Sequence, residues 1–205
     1  SVAAMSMGEP RADDALREAL AMGCDTAYLL SDPDFEAADA AVTTRILAAA
    51  IEKLEGADLV FAGREAGDSG AAQIGPGLAE ALGYAGASDV WRLDLDGTTL
   101  AAIHRWGEGF AAVRVPLPAV VTVAPEAFKP RYPRGACIIN AYRDWNVTVW
   151  SRSDLALEQG ALAPLVSLRG ESFPPPLEVG EQYRGDAETV AQDLVLTLKL
   201  HKLAG

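Results

Sequence analysis

Three times between Val2 and Gly83 a short apolar run gives way to an amphipathic helix that a glycine closes. Val2 to Ser6 leads into a helix from about Arg11 to Met22. It sets Ala12, Leu16, Ala19 and Leu20 on one face, and Gly23 follows where a left-handed cap is easily adopted. Strand Thr26 to Leu30 and the turn Ser31-Asp32-Pro33-Asp34 precede a second helix. That helix is capped by Asp39, carries Thr43, Leu47, Ala50, Ile51 and Leu54 at helical spacing, and stops at Gly56. Strand Asp58 to Ala62 and a helix from Ala71 to Leu82, closed by Gly83, make the third unit. Sequential parallel strands need a crossover, and a helix is the usual one. The alternation therefore predicts an α/β fold with a doubly wound, mainly parallel, Rossmann-like sheet and helices on both faces.

In such sheets ligands bind beyond the carboxyl ends of the strands. Here that place is the loop from Gly63 through Gly67 to Gly70, between the third strand and its helix. The unpaired N–H groups and positive dipole end of the helix are expected to point at whatever lies above the strand, with phosphate the usual occupant. A tight β–α turn without ligand fits the spacing equally well. The loop is neither a Walker loop nor a G-x-G-x-x-G fingerprint.

After Gly83 the pattern changes to an antiparallel meander. Val90 to Leu95 turns at Asp96-Gly97, Thr99 to Trp106 returns, Gly107-Glu108-Gly109 reverses the chain, and Phe110 to Val115 runs out. Leu117 to Val123 reads as a buried strand. The stretch Ala124 to Trp150 is Pro-rich, then basic and aromatic, with no clear period, as functional or disordered loops tend to be. Pro174-Pro175-Pro176 reads as a stiff link to a last helix capped by Asp186, with Val190, Leu194, Leu198 and His201 on one face.

The 205 residues suffice for one substantial core, or one domain with an appendage. A formal charge of −12, from 29 acids against 17 bases, opposes binding to nucleic acid and anionic membranes. No apolar run is long enough to span a bilayer. Cys24 and Cys137 form no disulfide framework, which suits a cytoplasmic protein. With His104 and His201 they also make no metal-ligand pattern, and no nucleophile–base pair is recognisable. Trp91, Trp106, Trp145 and Trp150 read as core or interface residues. Ser1 to Met7 resembles the end of a strand, not a signal peptide, and earlier residues are expected before it.

Several motifs then line up in one order: Ala15-Leu-Arg-Glu-Ala-Leu-Ala-Met-Gly-Cys-Asp-Thr-Ala27, Leu30-Ser-Asp32 with Ala38-Asp39, and Gly63 through Pro76. Leu117-Pro-Ala-Val-Val-Thr-Val123, Pro130-Arg-Tyr-Pro133, Asn140-Ala141 and Val149-Trp150 continue the series. Together they resemble the electron-transfer flavoprotein β-subunit family over nearly the whole chain, most loosely toward the C-terminus. The resemblance implies an adenine nucleotide alpha hydrolase-like layer that pairs with an α-subunit. The pair would share an FAD, while the β-subunit holds AMP or a second FAD and the heterodimer shuttles electrons from acyl-CoA dehydrogenase-type or other redox partners. It also implies an opening strand and β-hairpin ahead of Ser1.

Carried over by position, the resemblance puts the nucleotide's phosphate against Gly70, Ala71, Ala72, Gln73 and Ile74. Gly63, Asp68 and Ser69 would line the mouth, with Met7 and Gly8 facing the adenine. Asp68 and Ser69 fit a helix cap as well as a ligand contact, and Arg64 fits either charge compensation or an ion pair. Where the family carries an acidic and then a polar residue, this chain has Gly70 and Ala71, which leaves the work to backbone donors. The resemblance implies a nucleotide-binding domain over residues 1–155, with a partner-recognition loop at 124–145 built on Arg131, Tyr132, Arg134, Gly135 and Tyr142. Residues 156–205 would be an arm on the partner subunit. The alternatives are a ligand-free or nucleotide-binding scaffold, or a nucleotide-hydrolysing α/β domain. The latter lacks a catalytic constellation at the loop.

Overall fold

A computed structural model describes residues 1–67, 69–167, 170, 173, 175 and 180–203. The chain divides into two compact units, Ser1–Ser167 and residues 168–205.

The first unit begins with β1 (Ala3–Met7), α1 (Asp13–Met22), β2 (Thr26–Leu30), α2 (Ala40–Lys53), β3 (Leu59–Gly63) and α3 (Ile74–Leu82). The glycine stops expected after α1 and α3 are present, whereas α2 ends at Lys53, with Leu54 as its cap and Glu55 left-handed at φ 64° ahead of Gly56. Gly23 lies at φ 116° and Gly83 at φ 67°, and in both turns the next residue's N–H reaches back to a carbonyl near the helix end. That pattern satisfies carbonyls the helix itself leaves unpaired. Asp39 caps α2 through a 2.9 Å bond from the Val42 N–H. The helix expected to start at Ala71 starts at Ile74 instead, because Gly70 (φ 57°) and Ala72 (φ 52°) are left-handed and cannot join a right-handed helix.

Next come β4 (Ala85–Asp96), β5 (Thr99–Trp106), β6 (Gly109–Pro116), β7 (Ala119–Val123), α4 (Gly135–Arg143) and β8 (Thr148–Trp150). One sheet has the order β1-β2-β8 and is wholly parallel. The other has the order β3-β7-β4-β5-β6. Its β3, β7 and β4 pair in parallel, whereas β4-β5 and β5-β6 are antiparallel. Strand β4 belongs to both arrangements. Its first half pairs with β7, its second half with β5, and the register slips between Ala87 and Val90. The architecture is therefore mixed α/β, with the meander joined to the parallel layer through a single bent strand.

Strand β2 is covered on both faces. Leu30 packs with Phe35, Val42, Ile46, Ala50, Leu155 and Leu162, while Ala27 and Leu29 pack with Leu16, Leu20 and Ala141. Helix α2 also meets the second sheet, where Ala48 and Ile51 pack with Leu78 and Val120. On the other face of β7, Ala119 and Val121 pack with Val90, Leu100 and Val115. Each fully buried valine or leucine in these clusters contributes about 1.5–3 kcal/mol of transfer free energy.

Glycine decides how closely α3 can approach. A Cβ on Gly75 would lie 2.0 Å from Thr122 Cγ2 on β7, and one on Gly77 would lie 2.9 Å from Thr44 Oγ1 on α2. The start of α3 is thus pressed onto the strands that end beneath it.

In the second unit, α5 (Ala187–Leu200) is capped by Asp186, which accepts from the N–H groups of Glu188 and Thr189. Leu194, Val195, Leu196 and Leu200 on it are exposed. Among the described residues no helix is long and apolar enough to cross a membrane. The Pro174-Pro175-Pro176 link lies largely outside the described residues.

Candidate functional site

The carboxyl ends of the parallel strands β3 and β7 lie beside the loop to α3 and the irregularity within β4. From β3, Gly63 opens the loop to α3. The backbone N–H of Gly70 is engaged, donating to the Ala66 carbonyl at 2.9 Å. Beyond it, the N–H groups of Ala71, Ala72, Gln73, Ile74 and Gly75 make no hydrogen bond among the described residues. Gln73 supplies no side-chain cap, and Gly75 is buried. A buried, unpaired amide is costly and native structures rarely keep one. Gly70 and Ala72 are both left-handed, the kind of backbone that anion-binding nests of successive N–H groups use. Holding Ala72 left-handed costs about 1–2 kcal/mol, which the surrounding packing must offset.

The side chains around the loop do not supply the positive charge. Arg64 pairs with Glu65 at 2.6 Å, and both side chains are about a third exposed, so the pair is worth at most about 1 kcal/mol. Glu65, followed by Asp89 and Glu126, holds the Arg64 guanidinium above its ordinary pKa. Its charge is thus largely answered within the protein, and an anion above β3 depends on the backbone.

Asp89, which sequence reasoning passed over, stands in the β4 irregularity at φ 51°. Its N–H donates to Thr122 Oγ1 at 2.8 Å, and one carboxylate oxygen is buried with no partner among the described residues. A side chain in a left-handed bulge beside the strand ends has no local sequence signature, since the bulge arises only when β4 changes partners.

Of the remaining residues, Ser69, Gly70 and Gln73 are exposed on the loop, and Ile74 is the first residue of α3. Asp68 lies outside the described residues. Met7 ends β1 in the other sheet, where it packs partly buried against the Leu30–Ile46 cluster. The structure places Gly63 at the end of β3, residues 69–73 in the loop that follows and Ile74 at the start of α3.

The basic aromatic stretch contains a helix that its lack of period concealed. Arg134 is the N-cap of α4 and Gly135 its first residue. Ile138, Ile139 and Tyr142 are exposed, and Tyr132 just ahead of the helix is 95% exposed. Arg131 donates to the Met22 carbonyl at 3.4 Å. Tyr142 donates to Asp14, and partial desolvation, then that carboxylate, push its phenol above the ordinary pKa. Among the described residues no group of three or more His, Cys, Asp or Glu side chains is placed to hold a metal ion.

The fold and the site together define a mixed α/β domain that presents backbone N–H donors at the ends of its parallel strands. A family model described as the electron transfer flavoprotein domain matches residues 1–154. The electron transfer flavoprotein subunit beta of Thermoanaerobacterium thermosaccharolyticum is 36% identical over 201 residues, covering 95% of this chain and 75% of the relative. The caffeyl-CoA reductase-Etf complex subunit CarD of Acetobacterium woodii is 38% identical over 205 residues, covering 97% and 77%. The acryloyl-CoA reductase electron transfer subunit gamma of Anaerotignum propionicum is 32% identical over 211 residues, covering 95% and 76%. The chain belongs to the electron transfer flavoprotein β-subunit family.

Proposed function

We propose that this chain holds an adenine nucleotide, AMP or FAD, with its phosphate in the amide concavity of residues 71–75, and that it works in a heterodimer with an α-subunit. The observation that carries this reading is the run of five N–H donors entering α3 above the end of β3 that make no hydrogen bond among the described residues. A phosphate there would meet the dipole end of α3 and satisfy the buried Gly75 amide. Gly63, Asp68, Ser69 and Met7 belong to the proposed surroundings of the nucleotide.

When bound, the flavin shared with the α-subunit supplies the redox chemistry, and this chain's residues bind, orient and shield it. No bond-making step is assigned to the chain itself, which is an electron-carrier subunit. The Rossmann-like, doubly wound description belongs to this reading, as does the domain division, with the nucleotide-binding layer over 1–155 and a C-terminal arm, 156–205, on the α-subunit. Two relatives bear the names of CoA-thioester reductase subunits, which supports acyl-CoA dehydrogenase-type partners. Residues 124–145, through Arg131, Tyr132, Arg134, Gly135 and Tyr142, form the proposed docking surface. Two free cysteines suit a reducing cytoplasm.

Replacing Gly70 by valine tests the site. Gly70 sits at φ 57°, which a β-branched residue resists. The expected result is a folded heterodimer by circular dichroism that no longer co-purifies with nucleotide in this chain. Undiminished nucleotide content would remove residues 70–75 from the site.

A further inference from the structure

Helix α4 has a slender apolar hold on the body of the protein. Ala141 is its one buried residue, with Cys137 one turn earlier partly buried against the same cluster. Both side chains are small, so they fix the depth of the helix better than its rotation. Polar contacts from α1 supply the rest, and they converge on Arg17.

The Arg17 side chain is 20% exposed and reaches across from α1. Its Nε donates to Asp13, one turn back on its own helix, which sets the direction of the guanidinium. Its Nη1 donates to the Ala141 carbonyl and, at 3.1 Å, to the Trp145 carbonyl. Its Cζ lies over the Tyr142 ring at 5.6 Å from the centroid, while the Tyr142 hydroxyl reaches Asp14. Carbonyls in and after the last helical turn lack intrahelical partners, and a cation there also meets the negative end of the helix dipole. One guanidinium thus closes α4 and fixes its azimuth, and a single point charge on a flexible stem would not reproduce that fork.

We propose that Arg17 is the positioning residue of the docking surface: it touches no redox partner, but it sets which face of α4 carries Ile138, Ile139 and Tyr142 outward. This rests on the reading of residues 124–145 as a docking segment. Loss of Arg17 leaves the nucleotide loop, which belongs to the other sheet, intact. Its effect falls on the encounter with the donor rather than on turnover once docked.

The test uses the complete heterodimer and a reduced acyl-CoA dehydrogenase as the electron donor, comparing Arg17→Gln with the surface variant Ile139→Asp. Arg17→Gln is expected to raise KM for the donor roughly tenfold, the scale of losing a charged donor with two carbonyl acceptors. Turnover at saturation and flavin content should be unchanged, and amide hydrogen exchange should quicken in residues 137–143 more than elsewhere. If Ile139→Asp raises KM and Arg17→Gln does not, the positioning role is wrong and the docking reading stands. If neither raises KM, the docking reading fails and the role of Arg17 with it. Should Arg17→Gln unfold the chain, Arg17→Lys takes its place. That variant keeps the charge without the fork, and a native KM together with native exchange in α4 would also overturn the proposal.

Discussion

At the scale of single residues, glycine carries much of this structure, though not where the loop sequence draws the eye. Gly67 has open space around its missing Cβ, and Gly63 only ordinary contact, while Gly75 would collide with Thr122. Gly75→Ala is therefore expected to destabilise the protein by about 1–3 kcal/mol through overpacking between α3 and β7. Gly67→Ala should stay within about 0.5 kcal/mol. Urea unfolding of both variants checks this, and equal midpoints would show that α3 does not press on β7 as described. The three glycines that mark the loop in the sequence do so by spacing, whereas close approach depends on which strand lies beneath the helix. Only Gly70, left-handed at φ 57°, keeps the conformational role its position suggested.

At the scale of elements, the helices with a wide apolar face were legible and α4 was not. Helices α1 and α2 bury three and six residues, α3 buries Gly75 and Leu78, and their glycine or aspartate caps stand in the sequence. Helix α4 buries only Ala141 and follows directly on a Pro-rich, basic stretch, so its nine residues read as a continuation of that loop. The segment after β8 was equally hard to read. It returns across α2 through a carboxylate: one oxygen of Asp39 caps α2 while the other accepts from the N–H groups of Leu165 and Val166. The α2 cap first, then these two amides, hold the Asp39 carboxyl below its ordinary 3.8, against some desolvation. A carboxylate depressed in the folded state stabilises above its unfolded pKa and loses that contribution as the pH falls through the folded one. Asp39→Asn keeps the cap but cannot serve both sides. It should lower stability at neutral pH, and the gap from the native chain should close in acid below the ordinary carboxylate range. Unfolding curves at neutral and acid pH measure it, and a gap independent of pH would contradict the assignment.

For the whole molecule, a formal charge of −12 frames a basic run in the sequence, Lys129, Arg131, Arg134 and Arg143, that leads into and ends α4. Arg143 is answered by Asp144 at 2.8 Å, whereas Arg134 makes no ion pair among the described residues. A positive patch in an acidic surface orients its approach to an acidic partner, and salt screens that steering over about 10 Å at moderate ionic strength. Arg134→Glu should weaken donor docking several-fold at low salt and hardly at all at high salt. Stopped-flow association rates across a salt series check this, and a salt-independent loss would assign Arg134 to a direct contact instead. The strand-and-helix frame behind these surfaces was readable because alternation of strand and helix admits few topologies. The doubled role of β4 was not, since a strand's change of partner leaves no mark on its own residues.

The adenylate cradle proposed at the entrance of α3 is tested most directly by its contents. The chain is co-expressed with its α-subunit, purified and denatured, and the released nucleotides are separated by chromatography and counted against protein. One AMP, or one FAD beyond the FAD shared with the α-subunit, should appear for each copy of this chain and vanish in Gly70→Val. A heterodimer with full electron-transfer activity that releases the shared FAD alone would contradict the account.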